Sequence, residues 1–221
     1  SCYAAVVCDG MGGTHGGRVA SAIAVACFQR EIQNDLRADM TADQLRHVML
    51  AAIAAANDAI RREAGRNADY RHMGTTLVCA LARPDMALIA NIGDSRAYHI
   101  TPEGIRQISR DHSVVESMVA KGDITPQEAR RHPNRNLITR ALGPDIDAKA
   151  DTFTLPWRSG EYILLCTDGL VNTVSDQEML FEVLYDGDVN GCLEHLLQIS
   201  LQRGAPDNIT AVLLLNDEER S

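Results

Sequence analysis

No stretch of the 221 residues approaches the roughly 18 to 20 consecutive apolar positions that a bilayer span requires, and no basic segment near the start leads into an apolar core. Neither a membrane helix nor a secretory leader is expected. Positive charge is scarce: 21 Lys and Arg stand against 30 Asp and Glu, and the net charge of -9 repels nucleic-acid phosphates. Paired cysteines are missing too. Cys2, Cys8, Cys27, Cys79, Cys166 and Cys192 form no C-x-x-C, and several lie in apolar runs where a thiol packs as a small hydrophobe. Reduced thiols in a soluble cytoplasmic protein are the expectation. Repeats, low-complexity tracts and linkers are also absent, and a chain of this length that is 45% hydrophobic can bury one substantial core, so a single domain over residues 1–221 is expected.

What is present is an alternation of short apolar runs ending in Asp or Gly with longer stretches of helical period, the pattern of a mixed α and β domain. Strands are expected at Tyr3 to Cys8, Thr75 to Ala82, Met86 to Ile92, Ala97 to Ile100, Tyr162 to Thr167 and Ile209 to Leu215. Thr41 with Gln44, Thr125 with Glu128 and Ser175 with Glu178 have capping-box spacing and predict helices through Ala51 to Arg62, Glu128 to Arg131 and Met179 to Leu184. One more helix should follow Gly17 and another should span Cys192 to Gln202. Between Asp111 and Arg140 lies a polar stretch with Arg130, Arg131, His132, Arg135 and Arg140, readable as a surface helix pair or a functional flap.

Four aspartates sit at strand edges: Asp9, Asp94 and Asp168 after apolar runs, Asp207 just before one. Antiparallel pairing would bring all four to the same end of a sheet. Carboxylates so clustered repel unless protons or hard divalent cations intervene. Gly follows Asp9 and Asp168, where it permits a sharp turn and lets a carbonyl, such as that of Gly10, approach an ion. A lone Asp-Gly is most simply a turn. Four aspartates at strand edges favour a shared chemical role.

Asp9-Gly10-Met11-Gly12-Gly13, Met73-Gly74-Thr75-Thr76, Asn91-Ile92-Gly93-Asp94-Ser95-Arg96, Cys166-Thr167-Asp168-Gly169-Leu170 and Asp207-Asn208-Ile209-Thr210 occur in the order found in the metal-dependent protein phosphatases, the type 2C family, and the chain resembles that family from Tyr3 to about Leu215. The run from Thr125 through Asn136 to Gly143 resembles the flap of bacterial members. The resemblance implies an α+β, four-layer α-β-β-α sandwich with two central, mostly antiparallel sheets and a centre of two Mn2+ or Mg2+ ions. It places Asp9 across both ions, the Gly10 carbonyl on one, Asp168 and Asp207 on the other, and Asp94 with Asp168 at a third, weaker site. Two such cations activate water for in-line attack on phosphoserine or phosphothreonine. No cysteine has an Arg six positions later, so a thiol nucleophile is not expected. The implied partners are phosphorylated proteins, the substrates of a Hanks-type Ser/Thr kinase in a bacterial signalling or secretion circuit, met by a monomer.

Two departures stand out. The family opens with a strand carrying a phosphate-binding Arg and an acidic residue of the metal shell; Ser1 falls too late to include it, so a preceding segment is expected. The alternative is a catalytically weak pseudophosphatase that binds phosphoproteins. Thr14 stands where relatives often have His, and His15 follows it as the candidate general acid or an exposed loop histidine. Thr76, Ser95 and Asn208 are candidates to orient the carboxylates. Gly12-x-x-x-x-Gly17-Arg18-Val19 is a near miss of the nucleotide-binding P-loop, but it lacks the hydroxyl residue that would bind Mg2+.

Overall fold

The computed structural model describes residues 2–185, 189 and 191–217. Its first sheet is formed by β1 (Tyr3–Val7), β4 (Leu77–Arg83), β5 (Met86–Ile92) and β8 (Asp151–Pro156), in the order β1-β4-β5-β8. The second has the order β10-β9-β6-β7 and is built from β6 (Arg96–Thr101), β7 (Gly104–Gln107), β9 (Tyr162–Cys166) and β10 (Ala211–Leu215). A two-residue ladder joins β2 (Gly10–Met11) to β3 (Gly74–Thr75), and every pairing is antiparallel.

Side-chain alternation sets the layers. On β4, Leu77, Cys79 and Leu81 pack against α1 (Gly13–Asp35) and α2 (Ala42–Arg66), while Val78, Ala80 and Ala82 face the other sheet. Ile163 and Leu165 of β9 meet them there, and Leu164 and Cys166 point away towards α6 (Asp176–Tyr185) and α7 (Cys192–Gln202). Strands covered on both faces need apolar residues at every position, which is why they read as unbroken apolar runs. The layers are therefore α-β-β-α.

The capping boxes at Thr41 and Thr125 are both formed, the latter opening α4 (Pro126–Ala129). Ser175 and Glu178 likewise exchange hydrogen bonds ahead of α6. Three expectations need correction. The first helix begins at Gly13 rather than after Gly17, because Gly16 and Gly17 do not break it: a Cβ on Gly17 would lie 2.7 Å from the Gly10 carbonyl carbon, so glycine lets the helix lie directly on β2. The expected strand from Thr75 is interrupted at Thr76, with β3 pairing to β2 and β4 to its own sheet. The edge strands β7 and β8 were not expected, since Asp151-Thr-Phe-Thr-Leu-Pro156 buries only Leu155 and an edge tolerates Pro.

The polar stretch proves to be a helix pair, α3 (Val114–Lys121) followed by α4, with its neck sewn shut. Ser113 bridges Ile138, the Val114 amide donates to the Leu137 carbonyl, and the Thr139 amide donates to that of His112. Arg130, Arg131 and Arg135 are exposed, whereas His132 is half-buried and accepts from the Asn134 amide. Arg140 turns back to Asp151, 2.9 Å away. His112, buried at the neck, accepts from the Gly93 amide through Nδ1; its Nε2–H therefore donates to Asp151 at 3.1 Å. Burial pushes the Asp151 carboxyl up, but the hydrogen bonds from His112 and Arg140 outweigh it and leave it below its ordinary value. A carboxyl lowered by folding adds stability above its unfolded pKa and loses that stability as pH falls through its folded pKa. Asp151→Asn should accordingly be destabilised at neutral pH in urea unfolding, with the gap to wild type closing below about pH 4.

Candidate active site

The aspartates meet where the two sheets share an end. β1 and β5 both pair antiparallel with β4, so their C-termini, Val7 and Ile92, lie beside Val78 and Leu77 at one edge of the first sheet. Gly93-Asp94-Ser95 crosses from there directly into β6, whose first residue, Arg96, pairs with Cys166 at the end of β9; Ala211, at the start of β10, pairs with Cys166 from the other side. Asp9 and Asp94 thus follow strands of one sheet, and Asp168 and Asp207 flank strands of the other. The four come from two sheets, not one as expected. Asp207 also stands four residues ahead of β10 rather than at its start, and Asp168 opens the short helix α5 (Asp168–Val171).

Their electrostatics record the convergence. Burial, then the charges of Asp168 and Asp207, push the Asp9 carboxyl up to about 6. Burial, Asp168 and Asp111 push Asp94 up to about 7. Asp168 is raised by burial and by Asp207. Arg96 brings positive charge nearby but commits its fork to Asp111, with contacts of 2.7 to 3.0 Å. Among the described residues, no three His, Cys, Asp or Glu side chains close into a single cage. Octahedral Mg2+ or Mn2+ does not need one, because such ions keep several waters and take one or two carboxylates each. Repelling oxygen donors of this kind suit hard divalent cations.

Backbone clamps hold the carriers in place. The Asp9 carbonyl accepts from the Thr76 amide and the Thr75 hydroxyl, both at 2.8 Å, and the Asp9 amide donates to Thr76 Oγ1, which is 2.7 Å from Ser95 Oγ. Thr76 and Ser95 therefore fix the Asp9 main chain and not, as expected, a carboxylate. Across the site, Thr167 Oγ1 donates to the Asn208 carbonyl and accepts from the Thr210 amide, tying the Asp168 and Asp207 loops together. Asn208 reaches the Asp207 carboxylate through its backbone amide, at 2.8 Å. Asn172, which sequence reasoning missed, donates to Asp168 Oδ2 at 3.3 Å; its position four residues on in a helix opening was the available signal.

The two Asp-Gly glycines serve close approach rather than a sharp turn, since neither has a positive φ. A Cβ on Gly10 would lie 2.0 Å from the Gly17 carbonyl oxygen, and one on Gly169 would lie 2.3 Å from that of Asn208. His15 is exposed in the first turn of α1, not in a loop. None of the six cysteines is in a disulfide, and burial together with the Asp9 charge pushes Cys8 up to about 12, which leaves a poor nucleophile beside the cluster.

Fold and site together define a carboxylate-centred hydrolase of the α-β-β-α class. The protein phosphatase 2C family model matches residues 1–213, and the chain belongs to that family. It is 34% identical to the serine/threonine phosphatase Stp of Listeria monocytogenes, over 96% of this chain and 84% of the relative. The crystal structure of Stp1 from Staphylococcus aureus superposes with a TM-score of 0.90 at 36% identity, covering 96% of this chain and 83% of that one. The catalytic domain of PstP in complex with two manganese ions superposes at 0.83 with 32% identity, covering 96% and 89%.

Gly169→Ala should destabilise the protein by about 1–3 kcal/mol in urea unfolding, because the new methyl must push the Asn208 backbone away. The same shift separates Asp168 from Asp207, so the Mn2+ concentration for half-maximal activity should rise.

Proposed function

We propose that this chain hydrolyses phosphoserine and phosphothreonine in proteins, opposing a Hanks-type Ser/Thr kinase in the bacterial cytoplasm, with two Mn2+ or Mg2+ ions at its centre. The observation that carries the reading is the convergence of Asp9, Asp94, Asp168 and Asp207 at the joined sheet ends, where neighbouring charges raise the carboxyls of Asp9, Asp94 and Asp168. Asp9, the Gly10 carbonyl, Asp168 and Asp207 would hold the two ions, and Asp94 with Asp168 would hold a third. Bound there, the ions would supply an activated water and neutralising charge for the phosphoryl oxygens.

The chain's own residues do the rest. Thr75 and Thr76 keep the Asp9 backbone from yielding to its neighbours' repulsion, and Asn172 orients the Asp168 carboxylate. His15, exposed at the start of α1, would give a proton to the departing serine or threonine oxygen. A pseudophosphatase is disfavoured, since a module without catalysis has no need to concentrate four carboxylates at one place. The described residues include no helix long and apolar enough to cross a membrane.

Hydrolysis of p-nitrophenyl phosphate and of a phosphothreonine peptide should require Mn2+, stop with EDTA and fall by at least about 100-fold in Asp168→Asn. His15→Ala should lose more activity on the peptide than on the aryl ester, whose leaving group needs no proton. Metal-independent hydrolysis, or full activity in Asp168→Asn, would refute the assignment.

A further inference from the structure

The chain carries a net charge of -9, yet Arg61, Arg62, Arg66 and Arg71 fall within a short stretch at the end of α2 and just beyond it. Arg61, Arg66 and Arg71 line one cavity of about 560 Å3, which Gly143 and Pro144 line as well. Local structure accounts for part of this charge. Arg66 lies in the last helical turn, where a cation offsets the helix dipole, and stands 3.8 Å from Glu63. Arg61 donates through Nη1 to the carbonyls of Gly143 at 3.1 Å and Pro144 at 3.5 Å, so it holds the segment leaving the flap.

That accounting leaves donors over. Arg71 stands past the helix, after the 3-10 turn Ala68–Tyr70, and is exposed; its guanidinium meets no hydrogen-bond or ion-pair partner among the described residues. Three guanidiniums around one cavity repel one another, and an anion with several acceptor oxygens relieves that repulsion. A carboxylate supplies one negative charge and two oxygens. A phosphoryl group on a serine or threonine supplies nearly two charges and three oxygens, which matches several forks at once.

The cavity is joined to the catalytic end. A Cβ on Gly143 would lie 2.6 Å from the Met73 carbonyl oxygen, so this wall rests directly on the segment entering β3, and β3 pairs Gly74 with Met11 and Thr75 with Gly10. The cavity wall and the segment that follows Asp9 are thus joined through the β2–β3 ladder.

We infer that the Arg61–Arg66–Arg71 cavity receives a second phosphoryl group of the substrate polypeptide, one that is retained while its neighbour is removed, so that the enzyme prefers multiply phosphorylated segments. The inference rests on the phosphatase reading above. Arg61 ties the flap exit, so the test leaves it in place and uses Arg66→Ala/Arg71→Ala.

Wild type and this variant are compared on p-nitrophenyl phosphate, on a peptide with one phosphothreonine, and on peptides carrying an additional phosphoserine at a series of spacings. Wild type should show kcat/KM about tenfold higher for the best-spaced doubly phosphorylated peptide, the worth of one charge-assisted contact. The variant should lose that preference while keeping wild-type rates on the other two substrates. An equal rate for single and double phosphorylation in wild type, or a preference that survives in the variant, overturns the inference. So does an equal gain when glutamate replaces the second phosphoserine. Should wild type hydrolyse none of these substrates, the catalytic reading fails and the cavity is judged separately by fluorescence anisotropy with Asp168→Asn. Tighter binding of the doubly phosphorylated peptide, lost on adding the two arginine substitutions, supports the cavity; equal binding overturns it.

Discussion

Carboxylates placed within one another's fields and partly removed from water repel, and the structure is arranged to keep four of them together despite that repulsion. Burial raises the carboxyls of Asp9, Asp94 and Asp168, and the charges of Asp9, Asp168 and Asp207 each push a neighbour higher. Nothing in hydrophobic packing requires this. The two sheets would close over their shared alanine-rich interface without any acidic residue at the joint. On the proposed function, the cluster is a local sacrifice of stability for a site that divalent cations would complete.

What resists the repulsion is main chain rather than side chain. Hydroxyls of Thr75, Thr76 and Thr167 each join two backbone segments, and Gly10 and Gly169 let those segments approach more closely than any Cβ allows. The short Gly93-Asp94-Ser95 crossing fixes the sheets' relative position, because it gives the chain no slack between β5 and β6. His112 then couples that crossing to the flap, accepting from the Gly93 amide while donating to Asp151. The flap neck and the carboxylate cluster are thus parts of one hydrogen-bonded frame.

Much of this was legible in the sequence. Met86–Ile92 and Cys192–Gln202 match the expected bounds, since strands buried on both faces and amphipathic helices write strong patterns. The edge strands β7 and β8 did not, because an edge that buries one residue or none leaves a weak trace. The aspartates were recognisable from their place beside apolar runs. Their distribution over two sheets was not, because composition along a strand does not say which strand lies next to it. The Asp-Gly glycines were read as permitting a sharp turn and the approach of a carbonyl to an ion; in the fold they admit a second backbone segment. Only a fold brings Gly17 to Gly10 or Asn208 to Gly169 across the intervening sequence.

The central claim is that carboxylate repulsion destabilises the metal-free protein and that cations relieve it. Thermal unfolding of wild type and Asp168→Asn, each with EDTA and with saturating Mn2+, tests this directly. The account predicts that Asp168→Asn is more stable than wild type in EDTA, and that Mn2+ stabilises wild type strongly, by about 2.7 kcal/mol at a concentration 100 times its dissociation constant, but Asp168→Asn only weakly. If the substitution lowers metal-free stability, or both proteins respond equally to Mn2+, repulsion among the aspartates is not the organising constraint of the site.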